Sequence, residues 1–477
     1  MPDPLELQRE TDAALTLIVD EAVRYLAALD ESPARLPGAA AAAARFDGSL
    51  PDEGSGALEA LRELIELGGQ AAVRSSGPRM FHFVTGGVTP AALGADWLTS
   101  ALDQNAFSWV GTPLGSRLEA VTVGWLKELF HLPAAWGGIL TTGATMANFT
   151  ALAAARHWYG ERLGIDIEER GLTGVPPVSV FSGGYVHASV VKALAMLGIG
   201  RGSVRRLPVD GVGRLDLDAL DASLRDLDGA PAIVLGTAGE VNTGDFDPID
   251  AMADLAERYG VWLHVDGAFG LFARVSPRVE RLAAGIERAD SVIADGHKWL
   301  NVPYDSGFAF VRDPMLLPKA FTASAEYLPS PQDPQPNFGY LGPEMSRRAR
   351  GLTAWASLRA YGRNGYRAMI ERHLDLAQRL ARRIDEEPAL ELLAEVPLIV
   401  VCFRFRPPRL DEAALDELNR RLGEAIVADG RVYAGATTYD GRVALRPAIV
   451  NWRTTERDVD ALADVVIELG TEIARDL

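Results

Sequence analysis

An α/β fold built on a mostly parallel central sheet, with helices on both faces, is the class this sequence predicts. Three observations carry that expectation. From about Phe81 to Phe310, short continuous apolar runs alternate with helical spacings, as they do where crossover helices bury strands on both faces. Amphipathic helical spacing with little core of its own precedes this region, over residues 5–30 and 56–69. Beyond residue 346 a long helical period is followed by strand-like runs, which reads as a smaller α+β domain. Three segments are therefore expected: a helical segment over 1–80, the large α/β domain over 81–345 and the small domain over 346–477.

The elements follow in order. Leu5, Leu7, Ala13, Leu15, Ile18, Val19, Ala22, Val23 and Leu26 have helical spacing. After a linker with Pro33 and Pro37, a second helix is expected from Gly56 to Gly69. Both helices must cover their apolar faces with the rest of this chain or with a second copy. The strands expected in the large domain are Gly138–Thr141, Val178–Phe181, Ala232–Leu235, Val261–Val265, Ser291–Ala294 and Gly307–Val311. Pro329, Pro331, Pro334, Pro336 and Pro343 then interrupt the pattern, and a proline-rich stretch of this length inside an enzyme reads as a mobile or functional loop. Helical spacing resumes from Ser346 to Arg383, strand-like runs come at Pro397–Phe405 and Val443–Pro447, and a last helix starts near Glu456.

Composition narrows the function classes. The chain has 477 residues, 48% hydrophobic and 23% charged, ordinary for a globular enzyme of two or three domains. Its formal net charge of −18 argues against nucleic acid as a partner. Cys402, the single cysteine, lies in an apolar run and reads as a buried packing residue. The first ten residues lack the basic-then-apolar order of a signal peptide. No apolar run reaches the roughly 18–20 residues that span a bilayer, so a cytoplasmic protein is expected.

The chemistry sits at strand ends. The strand Ser291–Ala294 runs into a loop with His297 and Lys298, and the strand before it ends in His264-Val-Asp266-Gly-Ala268. A lysine at one strand end and an aspartate at another suit pyridoxal 5'-phosphate (PLP), which needs an amine for a Schiff base and a carboxylate at its ring nitrogen. Two plainer readings compete. His264 and Asp266 share one strand face and could be two metal ligands, but no third ligand is near, so no metal is expected. Asp266 could also simply cap the following turn. Further strand ends favour the cofactor. Gly143, Ala144 and Thr145 open a helix after Gly138–Thr141, and small residues there let backbone N–H groups and the helix dipole meet a phosphate. His187 stands where Val178–Phe181 turns into another helix, placed to lay its imidazole on a flat ring. Ligands of open α/β sheets bind outside such carboxyl ends.

These motifs make the chain resemble the group II PLP-dependent amino-acid decarboxylases of fold type I, the family of the aromatic-amino-acid, histidine and glutamate decarboxylases. The resemblance runs from about residue 75 to the C-terminus. It rests on Phe107-Ser-Trp109, Tyr185-Val-His187, His264-Val-Asp266-Gly-Ala268, His297-Lys-Trp299, and Arg446-Pro-Ala448 before Arg453-Thr-Thr-Glu-Arg457. It implies decarboxylation of an L-amino acid to the amine and CO2, with Lys298 carrying the Schiff base. By the same resemblance Asp266 pairs with the ring nitrogen, His187 and Ala268 flank the ring, and Ala144, Thr145 and Ser291 hold the phosphate. It further implies a homodimer with shared active sites, the N-terminal helices wrapping the partner and Phe107 reaching the neighbouring site.

Four departures from the family pattern bear on the reaction. Ungapped alignment from Ser346-Arg-Arg348 sets Phe338 where the family carries a proton-donating tyrosine, with Tyr340 two residues on. Phenylalanine donates no proton, so the expectation is that Tyr340 takes the role by a small loop shift; relatives with phenylalanine there yield an aldehyde. Glu240 and Val241 stand where aromatic-type members carry threonines, and Asp295 where an asparagine helps bind phosphate. Phe83-Val-Thr-Gly-Gly87 lacks the aromatic cluster of the aromatic-amino-acid enzymes. His297 either contacts the phosphate or only precedes the lysine, and Arg446 either reads a substrate carboxylate or packs the small domain. Competing functions are another PLP reaction (carbon–carbon lyase, desulfurase-like enzyme or aldehyde synthase) and a non-catalytic PLP-binding dimer.

Overall fold

Seven strands form the main sheet of the computed structural model, which describes residues 5, 8–323, 330, 334–408 and 410–475. They are β1 (Gly137–Thr141), β2 (Ser179–Ser182), β3 (Val204–Arg206), β4 (Ala232–Thr237), β5 (Trp262–Asp266), β6 (Ser291–Asp295) and β7 (Gly307–Val311), in the order β1-β7-β6-β5-β4-β2-β3. β3, β2, β4, β5 and β6 pair in parallel, while β7 runs antiparallel between β6 and β1. Every residue of β4, β5, β6 and β7 is buried, which is why these strands read as unbroken apolar runs. β3, a short edge strand with two exposed arginines, gave no such run.

Strand order brings the functional turns together. Because β7 runs antiparallel to both neighbours, β1 and β6 point the same way, and Gly307 pairs with Thr141 on one side and Asp295 on the other. A Cβ on Gly307 would lie 2.5 Å from Gly143 Cα, so only glycine lets the turn after β1 close over the start of β7. The helix Ala144–Leu163 leaves that turn, and half of the residues it buries are alanines: Ala147, Ala151 and Ala153 to Ala155. The helix Gly351–Glu386 is broken at Gly362, whose φ is +59°, a conformation that favours glycine.

The chain divides into two units rather than three consecutive segments. One comprises 86–378 and 394–401 and holds the large sheet; the other comprises 1–85, 379–393 and 402–477. In the second unit β8 (Leu390–Leu392), β9 (Phe403–Phe405), β10 (Ala436–Tyr439) and β11 (Arg442–Leu445) form an antiparallel sheet in the order β10-β11-β9-β8. The N-terminal segment joins this unit through backbone bonds: Phe81 N–H donates to Tyr433 O (2.9 Å) and Ala448 N–H to Phe81 O (2.8 Å). Such long-range pairing leaves no mark in local periodicity. The helix Thr11–Ala28 buries none of its residues. Cys402 is buried. No helix among the described residues is long and apolar enough to cross a membrane. Of the proline-rich stretch, Pro329 and Pro331 lie outside the described residues.

Candidate active site

A cavity of about 520 Å3 opens at the carboxyl ends of β1, β2, β4, β5 and β6. Gly143, Ala144, Thr145, His187, Asp266, Ala268, His297 and Lys298 all line it, so eight of the residues read from the sequence converge on one space.

Asp266 ends β5 and is buried. Its Oδ1 accepts the Ala268 N–H (3.1 Å) and its Oδ2 accepts from Asn148 Nδ2 (3.1 Å). Asn148 stands one helical turn beyond Ala144, so the same helix that opens at the β1 turn also supports the β5 carboxylate. His187 caps the helix Ala188–Met196: its Nδ1 accepts the Ser189 N–H (3.2 Å) and lies 2.7 Å from Ser189 Oγ. With Nδ1 accepting, the ring proton belongs on Nε2.

Lys298 lies in a single π-turn, Gly296–Leu300, that follows β6; such turns occur mostly as isolated features at functional sites. Its Nζ is 3.2 Å from Asp295 Oδ2 and 5.7 Å from the centre of the Phe269 ring. Asp295, 2% exposed, also takes the Ala144 N–H on Oδ1 at 2.5 Å and stands 3.4 Å from His297 Nε2. His297 stacks on Tyr304 (centroids 4.2 Å apart), and its Nδ1 accepts the Ser306 N–H. Burial pushes the His297 imidazole below its ordinary pKa. Glycines make the close approaches: a Cβ on Gly143 would lie 2.9 Å from His297 Cε1, and one on Gly86 would lie 1.8 Å from the Lys298 carbonyl oxygen.

One expectation is corrected, and two other residues lie away from this cavity. Ser291, expected at the phosphate, opens β6 at the end remote from Lys298; it is fully buried and bonds Trp262 Nε1 (3.0 Å) and His264 Nδ1 (2.8 Å). A parallel sheet gathers a site at carboxyl ends, and Ser291 stands at an amino end. Phe338 packs into a core cluster with Ile139, Ala147, Ala151 and Ile293. Tyr340 meets Phe107 edge-on at 5.4 Å, and burial raises its hydroxyl pKa. Neither Phe338 nor Tyr340 lines the cavity. Gly339 fixes both, since its N–H donates to Phe107 O (2.8 Å) and a Cβ there would overlap the Phe107 ring.

The site also contains residues that sequence reasoning missed. Asn148, Ser189, Tyr185 and Tyr304 line or support the cavity; a polar Asn148 within an alanine-rich helix was the one readable signal. Glu240 lines the cavity with its carboxylate tied into its own turn, accepting the N–H groups of Asn242 (2.7 Å) and Thr243 (2.9 Å). Arg446 belongs to the other unit. An amine, a supported carboxylate, an imidazole with an outward N–H and a glycine-lined helix start are the donor set that a phosphorylated pyridine aldehyde needs. The residues present fit PLP.

Comparison with known proteins finds similarity over most of the chain. The family described as the pyridoxal-dependent decarboxylase conserved domain matches residues 45–406. The aromatic-L-amino-acid decarboxylase of Bacillus atrophaeus is 29% identical over 433 residues, covering 89% of this chain and 88% of its own. The L-2,4-diaminobutyrate decarboxylase of Rhizobium meliloti is 32% identical over 441 residues, covering 89% and 85%. Among solved structures, mouse CSAD superposes with a TM-score of 0.89 at 26% identity, covering 98% of this chain and 99% of that one.

Proposed function

The chain belongs to the pyridoxal-dependent decarboxylase family and is a PLP-dependent carboxy-lyase; from that premise we propose that it removes the α-carboxyl group of an L-amino acid as CO2 and releases the amine, with Lys298 as the amine that bonds the cofactor. The observation that carries this reading is the pairing on one cavity of Lys298, from the end of β6, with the supported Asp266 carboxylate, from the end of β5. When bound, the cofactor supplies an aldehyde for amine exchange and a conjugated ring that takes up the electron pair left by the departing CO2.

The protein's own residues do the rest. Ala144 and Thr145 hold the phosphate with Gly143 allowing close approach, and His187 and Ala268 confine the ring between them. Asp266 holds the proton of the ring nitrogen, which makes the ring a better electron acceptor. Lys298 must surrender a proton before its Nζ can attack, and Asp295 Oδ2 at 3.2 Å is the adjacent base. Once the substrate amine takes its place, Lys298 takes its proton back from Asp295 and can then donate it to the carbon that lost CO2. The bond that breaks is the one held perpendicular to the ring, so the orientation of the substrate carboxylate decides between decarboxylation and the other PLP reactions.

A homodimer forms part of the proposal. Leu15, Val19 and Val23 recur every four residues along the helix Thr11–Ala28 and are 61%, 42% and 62% exposed, a stripe suited to a second copy. A cytoplasmic location also belongs to it. Product analysis tests the reaction: PLP-saturated protein is incubated with a panel of L-amino acids while CO2, amine, aldehyde and ammonia are followed together. Amine equal to CO2 is expected. Aldehyde with ammonia would assign the chain to oxidative decarboxylation, and no turnover across the panel would overturn the reading.

A further inference from the structure

Behind Asp266 a line of buried side chains has its direction set at both ends. Trp262 Nε1 can only donate, and it donates to Ser291 Oγ at 3.0 Å. Ser291 in turn lies 2.8 Å from His264 Nδ1, His264 Nε2 lies 2.9 Å from Asn148 Oδ1, and Asn148 Nδ2 reaches Asp266 Oδ2 at 3.1 Å. Ser291, His264 and Asn148 have no exposed surface. Burial drives the His264 pKa down to about 4, so the ring is neutral and carries one proton.

Only one direction of donation satisfies every member when Asp266 is ionised. Ser291 accepts from Trp262 and donates to His264 Nδ1; His264 Nε2–H donates to Asn148 Oδ1; Asn148 Nδ2 donates to the carboxylate and to Ser189 Oγ (3.2 Å). Moving the histidine proton to Nδ1 would require Asn148 to turn over, setting its amide oxygen against Asp266 Oδ2. That contact is repulsive unless Asp266 carries a proton, and a buried mismatched polar pair is costly.

We infer that His264 and Asn148 are positioning residues whose one-way hydrogen bonds hold Asp266 as an acceptor-only carboxylate, and so keep the proton on the ring nitrogen of the cofactor. The inference rests on the proposed placement of that nitrogen at Asp266. It also accounts for Ser291, which serves this line instead of a phosphate.

The test uses the holoprotein loaded with PLP labelled with 15N at the ring nitrogen. In the unaltered protein, nitrogen NMR of His264 is expected to show a proton on Nε2 and none on Nδ1; the opposite tautomer would overturn the inference without any variant. Asn148→Leu and His264→Leu are expected to move the ring-nitrogen signal toward unprotonated pyridine and to lower kcat by about ten- to a hundredfold, the scale of losing a hydrogen bond to a charged group, with KM little changed. His264→Gln, which keeps one donor and one acceptor, is expected to retain the protonated signal. A ring nitrogen equally protonated in both leucine variants, with kcat falling only as cofactor occupancy falls, would overturn it. If Asp266→Ala left the ring-nitrogen signal unchanged, the placement of the cofactor would be at fault, whereas the His264 tautomer would still report the line itself.

Discussion

Replacing Asp295 by asparagine should tighten PLP binding, and the reason is a shared donor set. The Asp295 carboxylate takes the Ala144 N–H at 2.5 Å and sits 3.2 Å from Lys298 Nζ and 3.4 Å from His297 Nε2. The proposed phosphate, which carries more than one negative charge at neutral pH, calls on the same helix start. Two unit charges about 4 Å apart at an effective dielectric near 20 repel by about 4 kcal/mol. Lys298 and the helix dipole offset much of this, leaving a net gain for the variant of about 1.4–3 kcal/mol, or about ten- to a hundredfold in Kd. Asparagine is isosteric, and its Oδ1 can still accept the Ala144 N–H, so the turn should persist. Titration of cofactor-free protein, followed by fluorescence quenching, measures the Kd of PLP and of pyridoxal, which lacks the phosphate. The gain should be confined to PLP. Equal gains for both compounds would trace the effect to Lys298 instead, and no gain for PLP would refute the shared-donor argument.

Four other outcomes are expected. Borohydride reduction of the holoprotein followed by peptide mass analysis should place the pyridoxyl label on Lys298, and Lys298→Ala should abolish turnover; a label on another lysine would contradict the assignment. Arg347 and Glu119, whose side chains are each 1% exposed, pair at 2.7 Å while Arg347 also holds the carbonyls of Ala106 and Leu140. Arg347→Met leaves Glu119 buried without its cation and should cost about 3–5 kcal/mol in urea unfolding, and a loss below 1 kcal/mol would mean the pair acts as a surface pair does. The pKa of His264 falls from 6.5 to about 4 on folding, so the unfolded chain takes up its proton first as pH drops. That contribution, about 3 kcal/mol, is full above pH 6.5 and lost toward pH 4. Buried Asp247, raised from 3.8 to about 6, opposes the slope over part of that window, and His264→Gln should flatten the rising limb; an unchanged limb would locate it elsewhere. Gly86→Ala drives a Cβ against the Lys298 carbonyl oxygen and should cost on the order of a hundredfold in kcat/KM through misplacement of the lysine turn, which wild-type kinetics in the variant would exclude.

Much of the site was legible because its groups lie within a few residues of strand ends. Lys298, Asp266, His187 and Gly143 each follow an apolar run, and a parallel sheet gathers such ends on one edge. Ser291 shows where that reading stops. It belongs to the same run as Lys298, but to the opposite end of it, and a motif does not state which end a residue's side chain serves. Asn148 was out of reach for a different reason: its partners His264 and Asp266 lie more than a hundred residues away, brought in by the crossing of a helix over β5. Alignment places Phe338 and Tyr340 in one loop, and what sets their positions is Gly339 closing against Phe107, a contact between distant segments. The grouping of the N-terminal helices with the C-terminal sheet rests on the same kind of contact, Phe81 with Tyr433 and Ala448.

The two aspartates of the cavity are held in opposite ways, which bears on the parts proposed for them. Asp266 is fixed by Asn148 and the Ala268 N–H, groups that neither react nor titrate at neutral pH, so its charge and position can stay constant through turnover. Asp295 is held by Lys298, His297 and a helix start, and of these Lys298 changes its bonding partner in every cycle of the proposed reaction. Under the proposed reaction the surroundings of Asp295 therefore change during turnover, while those of Asp266 do not. Asp295 sits next to Gly307 of β7, which also abuts the Gly143 turn proposed to hold the phosphate, while the line behind Asp266 is anchored in the buried interior at Trp262.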